Sequence, residues 1–180
     1  MTKVLYTGSF DPITKGHMNI IDQAGNLFDQ VIIAVLQNSK KGAGFFTLEE
    51  RVALIQKIYQ TCENIKVITG SGAAVDIATL YECKAIIRGL RGLTDFDYEI
   101  GMAGINKEIS DGKVNTVCLF ADNNYQNISS SMVREVFSLG KRIDRYVDPV
   151  VEEAMTKKKV LTNGLIVPGS KTEISREVVK

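Results

Sequence analysis

The stretch YTGSFDPITKGH, residues 6–17, follows the first apolar run directly and ends on His17, the only histidine of the chain. Gly8 lets a backbone come close to a ligand, and exposed amides leading into a helix start favour an anion. An imidazole at that helix start can donate to a phosphoryl oxygen whose charge grows during reaction. Three further loops carry matching chemistry. RGLRG at 88–92 sets Arg88 and Arg91 around Gly89, and guanidinium forks match phosphate oxygens. LQNSKKGAGFF at 36–46 holds Lys40 and Lys41 beside glycines, where lysines can reach over a phosphate. YQNISSSMVRE at 125–135 puts Ser129, Ser130 and Ser131 at a helix start, where capping needs only one of the three hydroxyls.

Other chemistries find no support. A lone histidine supplies no nucleophile–base pair. Cys62, Cys83 and Cys118 show no C-x-x-C spacing and lie in or beside apolar segments, so they are expected as buried thiols of a reducing compartment, with neither covalent catalysis nor a zinc site. The Walker pattern G-x-x-x-x-G-K-[ST] is absent, and GSGAAV at 70–75 has Val75 where a dinucleotide fingerprint needs its third glycine. What remains is a site that holds and neutralises phosphates. The 22 basic and 21 acidic residues give no net pull toward nucleic acid or a membrane surface. No run approaches the roughly 18 apolar residues of a membrane helix, and no leader stands at the start, so a cytoplasmic protein is expected.

These loops need a scaffold, and the periodicity supplies one. KVLYT (3–7), VIIAVL (31–36), IKVIT (65–69), AIIR (85–88) and TVCLF (116–120) are continuous, β-branched-rich runs, the habit of strands buried on both faces. Between them the spacing predicts helices over 17–28, 47–60, 73–83, 95–109 and 129–139. Thr47 and Glu50 form a capping box for the second, and Gly140 stands beyond the last turn of the fifth. A further helix starts at Asp148 and Pro149. Alternation of this kind calls for a single domain of α/β class: an open, doubly wound, Rossmann-like five-stranded parallel sheet with helices on both faces. Residues 1–160 are read as that domain and 161–180 as a C-terminal extension. All four phosphate-type loops then fall at the carboxyl ends of strands, where such sheets bind ligands.

At this point the residues resemble a known family. TGSFDPITKGH looks like the T/H-x-G-H region of the nucleotidyltransferase α/β-phosphodiesterase superfamily. SFDPIT-x-GH, FTLEER, IIRGLR, DFDYE and ISSSMVREV together, in that order over residues 3–158, resemble the bacterial phosphopantetheine adenylyltransferases. The resemblance implies transfer of AMP from ATP to 4'-phosphopantetheine without a covalent intermediate, giving 3'-dephospho-coenzyme A and pyrophosphate, a step of coenzyme A synthesis. It also implies magnesium, with no residue assigned to it, and a homohexamer. Carried over by position, Ser9, Phe10, His17, Gly89, Leu90, Arg91, Glu99 and the run Tyr125, Gln126, Asn127, Ile128, Ser129, Ser130 and Ser131 would hold ATP. Ser9, Ala74, Arg88 and either Lys40 or Lys41 would hold the acceptor. His17, Lys40, Arg91 and Ser130 would act on the transferring phosphate. Two rivals stand beside this reading: a same-fold transferase using nicotinate mononucleotide or a polyol phosphate, and a nucleotide-binding regulatory module without turnover.

Overall fold

A computed structural model describes residues 1–37 and 44–164. The five apolar runs become β1 (Lys3–Gly8), β2 (Gln30–Leu36), β3 (Ile65–Gly70), β4 (Ala85–Leu90) and β5 (Asn115–Phe120). All neighbouring pairs are parallel, and the order across the sheet is β3-β2-β1-β4-β5. The central strands are buried along most of their length, whereas the edge strands β3 and β5 are only partly covered. The sheet is therefore the open, doubly wound α/β arrangement that the alternation of runs requires. Strand order reverses between β1 and β4, which opens a crevice at their carboxyl ends.

Among the described residues six helices accompany the sheet: α1 (Lys15–Leu27), α2 (Leu48–Ile58), α3 (Ala74–Leu80), α4 (Leu93–Ile109), α5 (Ser130–Ser138) and α6 (Pro149–Gly164). The period of two along a strand divides the core. Val4 and Tyr6 of β1 face a cluster with Ile20 and Ile21 of α1, Ile55 of α2, Val133 of α5 and Met155 of α6. Leu5 faces the other way, onto Val75, Ile77 and Ala78 of α3. Each of these side chains is nearly or fully buried, worth about 1.5–3 kcal/mol for a large aliphatic group.

Several local signals act as the sequence requires. Thr47 and Glu50 exchange hydrogen bonds at the start of α2, and Gly140 takes φ +70° after α5. The Asp148 carboxylate accepts the Val150 amide at 2.8 Å. The last helix runs through Gly164, four residues into the segment read as an extension, and residues 165–180 lie outside the described residues. One expectation is corrected. Cys83 is buried, but Cys62 and Cys118 are exposed: Cys62 falls in the turn after α2, and Cys118 stands on edge strand β5, where one face lacks full cover. Among the described residues, no helix is long and apolar enough to cross a membrane.

Candidate active site at the sheet crevice

Thr14 caps α1, its Oγ accepting the His17 amide at 3.4 Å. The reciprocal bond of this capping box comes from an imidazole: His17 Nδ1 accepts the Thr14 amide at 3.1 Å. An Nδ1 that accepts a backbone N–H carries no proton, so the neutral ring bears its hydrogen on Nε2. Burial, reinforced by the Arg91 charge, lowers the His17 pKa to about 4. At neutral pH His17 is an uncharged donor.

The loop before it is shaped from below. The Phe10 ring is 1% exposed and packs edge-on against Tyr6 and His17, with centroids 5.5 and 5.1 Å away. Gly8 makes room for it, since a Cβ there would lie 2.9 Å from the ring. Phe10 itself has φ +46°, and among the described residues no acceptor takes the amides of Ser9, Phe10 or Asp11. Free consecutive amides around a left-handed residue form an anion-binding concavity.

The second wall is the end of β4. Arg88 donates from Nε and Nη2 to the two Glu99 carboxylate oxygens at 2.7 and 2.5 Å, and Glu99 is 7% exposed. Burial opposes the Arg88 charge, but the Glu99 carboxylate outweighs it and holds the guanidinium pKa above its ordinary value. Arg91 donates from its main-chain N and its Nε to Asp95 Oδ2, both at 3.1 Å. Gly89 serves packing as well as access: a Cβ there would sit 2.9 Å from Ile20 of α1.

Residues 125–130 close the third side. Ser129 caps α5 by accepting the Met132 amide at 3.2 Å, while Ser130 donates to the Pro12 carbonyl at 2.8 Å. Gly16 lets this backbone lie against the start of α1, because a Cβ would stand 3.2 Å from the Ile128 carbonyl and 3.3 Å from that of Tyr125.

These walls enclose a cavity of about 220 Å³. Of the residues expected from the sequence, His17, Arg88, Gly89, Arg91, Glu99, Tyr125, Ile128, Ser129 and Ser130 line it. Tyr6, Thr7, Gly8, Gly16, Ile20, Asp95 and Ala121 join them. Ser9, Gln126 and Asn127 of the same loops and Ser131 of the first turn of α5 do not line the cavity, and Leu90 is buried. Phe10, 1% exposed, does not line the cavity either. Ala74 opens α3 at the carboxyl end of β3, outside the cavity. Lys40 and Lys41 lie outside the described residues.

Sequence reasoning passed over Thr14, Asp11, Arg51 and Arg134. The T-x-x-H spacing of 14–17 is a capping-box interval and could have marked Thr14. Asp11 accepts the Phe45 and Phe46 amides at 2.8 Å each, and Arg134 donates to the Asp11 carbonyl. No local pattern announces those long-range contacts.

The cytidylyltransferase-like family profile matches residues 5–136. Phosphopantetheine adenylyltransferases from Alkaliphilus metalliredigens and Leptospira biflexa are each 44% identical to this chain over 154 residues, covering 86% of it and 97% and 95% of their own length. Solved structures share the fold at lower identity. A lipopolysaccharide core biosynthesis protein from Thermoplasma volcanium aligns with a TM-score of 0.54 at 21% identity, over 68% of this chain and 99% of its own. A candidate nicotinate-nucleotide adenylyltransferase from Vibrio parahaemolyticus aligns at 0.59 and 19%, over 87% and 99%. By its motifs, its crevice and these relatives, the chain belongs to the cytidylyltransferase-like family and, within it, to the phosphopantetheine adenylyltransferases.

Proposed function

We propose that the protein transfers AMP from ATP to the phosphate of 4'-phosphopantetheine, giving 3'-dephospho-coenzyme A and pyrophosphate. The observation that carries this reading is the crevice at the β1/β4 switch point, where a neutral imidazole donor, two arginines and a helix N-terminus converge on one cavity. The relatives' name supplies the acceptor.

An oxygen of the acceptor phosphate attacks the α-phosphorus of ATP in line, a new P–O bond forms, and the bond to the β-phosphate breaks as pyrophosphate leaves. Both reactants are anions, so the protein must align them and offset their repulsion. Positioning supplies about 7–11 kcal/mol of barrier reduction, and a well-aimed donor to the charged transition state roughly 3–4 kcal/mol more. His17 Nε2–H is that donor. Arg91 faces the polyphosphate, while Arg88, held by Glu99, presents its remaining N–H to the acceptor phosphate. The start of α5 and the free amides of residues 9–11 take further phosphate oxygens. Lys40 or Lys41 belongs to the acceptor side. Magnesium arrives as part of the MgATP substrate. Glu99 and Asp95, the carboxylates of the cavity, are each engaged by an arginine, and no residue is made a metal ligand.

A homo-oligomer is part of the same reading, a homohexamer being what the family resemblance implies. Phe96, Tyr98, Ile100, Ile105 and Ile109 of α4 and Phe120 of β5 are 43–72% exposed, uncovered apolar surface of the kind that associates. Three free cysteines suit a reducing, cytoplasmic setting.

The decisive experiment is pyrophosphate release by purified protein with ATP and magnesium, run in parallel with 4'-phosphopantetheine, nicotinate mononucleotide and glycerol 3-phosphate. Release with phosphopantetheine alone is expected. Release with another acceptor would replace the substrate, and silence with all three while ATP still binds would point to a regulatory module.

A further inference from the structure

Two carbonyls of the first loop are held by arginines that do not line the cavity. The Ser9 carbonyl accepts from Arg51 Nη1 at 2.6 Å, and the Asp11 carbonyl from Arg134. Arg51 comes from the first turn of α2 and is 7% exposed. Its other acceptors are also backbone carbonyls, those of Leu36 at 3.0 Å and Thr47 at 3.2 Å. Among the described residues it forms no ion pair. A guanidinium buried among neutral acceptors is costly, and apolar groups of similar volume often serve stability as well or better. Packing alone therefore gives little reason for an arginine at this position.

The loop geometry gives a better one. The Ser9–Phe10 peptide is trans, so a carbonyl turned to Arg51 sends the Phe10 amide the opposite way. That amide and its neighbours find no protein acceptor among the described residues. Arg51 also grips Leu36, the last residue of β2, while the Asp11 carboxylate holds Phe45 and Phe46 just before α2. One buried cation thus ties together the ends of β1 and β2 and the start of α2.

We propose that Arg51 is a positioning residue of the transfer reaction: it holds the Ser9 carbonyl so that the amides after it stay directed at the nucleotide phosphates. This rests on the phosphate-transfer reading given above. It assigns Arg51 no contact with substrate.

The test compares wild type with Arg51→Met, Arg51→Lys and Arg51→Ala by steady-state kinetics, ATP calorimetry and thermal unfolding, with rates corrected for the folded fraction. Arg51→Met should lose about tenfold or more in kcat and raise the ATP KM several-fold, with the phosphopantetheine KM changing less. Arg51→Lys should recover part of the loss, and millimolar guanidinium ion should restore turnover to Arg51→Ala. If Arg51→Met does not fold, Arg51→Lys and the guanidinium rescue decide. Kinetics within twofold of wild type would overturn the proposal. So would a loss that follows the folded fraction and is rescued by neither lysine nor guanidinium, which is the signature of a purely structural role. A wild type that releases no pyrophosphate would instead overturn the transfer reading. Arg51 is then judged by ATP affinity, which should fall about tenfold in Arg51→Met and, if unchanged, would refute it.

Discussion

The Nδ1 of His17 stands 3.1 Å from the backbone nitrogen of Thr14, and this contact decides which end of the imidazole can work. With Nδ1 engaged as an acceptor, only Nε2–H remains to face a substrate. Such a donor counts most where charge develops, so His17→Ala should lower kcat by about 10²–10³-fold and shift ATP affinity far less. Steady-state kinetics beside ATP calorimetry checks this. Equal losses in affinity, with turnover of bound ATP intact, would remove His17 from the transition state.

The same ring gives a pH signature. Its pKa is about 4 in the folded protein against an ordinary 6.5. Between those values the unfolded chain takes up a proton that the folded chain refuses. The contribution of His17 to stability is therefore fully present above about pH 6.5 and falls as the pH drops toward 4, by at most about 1.4 kcal/mol per pH unit. His17→Asn removes the titration. The difference in unfolding free energy between wild type and His17→Asn should shrink from pH 7 to pH 4.5 in urea titrations, and a constant difference would contradict the buried neutral ring.

Arg88 and Glu99 must be judged as a pair. Arg88→Ala leaves a nearly buried carboxylate without its bidentate partner, a loss of about 3–5 kcal/mol for a buried pair. Arg88→Ala/Glu99→Ala should regain much of that stability in chemical denaturation. It should not regain the acceptor KM, because the proposed phosphate contact is still gone. An acceptor KM that recovers along with stability would make Arg88 purely structural.

Gly89 offers a test that separates packing from ligand access. Its missing side chain is where Ile20 of α1 sits, so Gly89→Ala should destabilise by about 1–3 kcal/mol through overpacking. Ile20→Ala in the same chain should relieve part of the strain, seen as a Tm above the sum of the single effects. Strict additivity would show that the two positions do not compete for space.

Much of this was legible because it depends on local periodicity. Each β-branched run is short, continuous and flanked by turn residues, and five of them separated by helical spacings leave few arrangements other than an open parallel sheet. Once the sheet is parallel, its carboxyl ends gather the loops holding Gly8, Arg88 and Ser130 on one edge, which is why motifs far apart in sequence could be read as one site. The capping box at Thr47 and the turn at Gly140 were equally accessible, since each involves only a few neighbouring residues.

What the linear pattern could not supply is the direction in which each group is used. Arg88 reads as a free phosphate fork, yet a Glu eleven residues on holds it in a bidentate pair. Phe10 reads as a ligand contact, and the fold buries its ring under Gly8. Exposed Cys118 reads as a core thiol because apolar neighbours cannot reveal that β5 ends the sheet, and Cys62 because they cannot reveal that it falls in the turn after α2. The sequence determined the strands, the helices and the edge where phosphate chemistry collects, through interactions spanning one or two turns of chain. Only the tertiary structure decided which nitrogen of His17 carries the proton and which carbonyls Arg51 and Arg134 hold, because those depend on desolvation and on contacts between segments up to 123 residues apart.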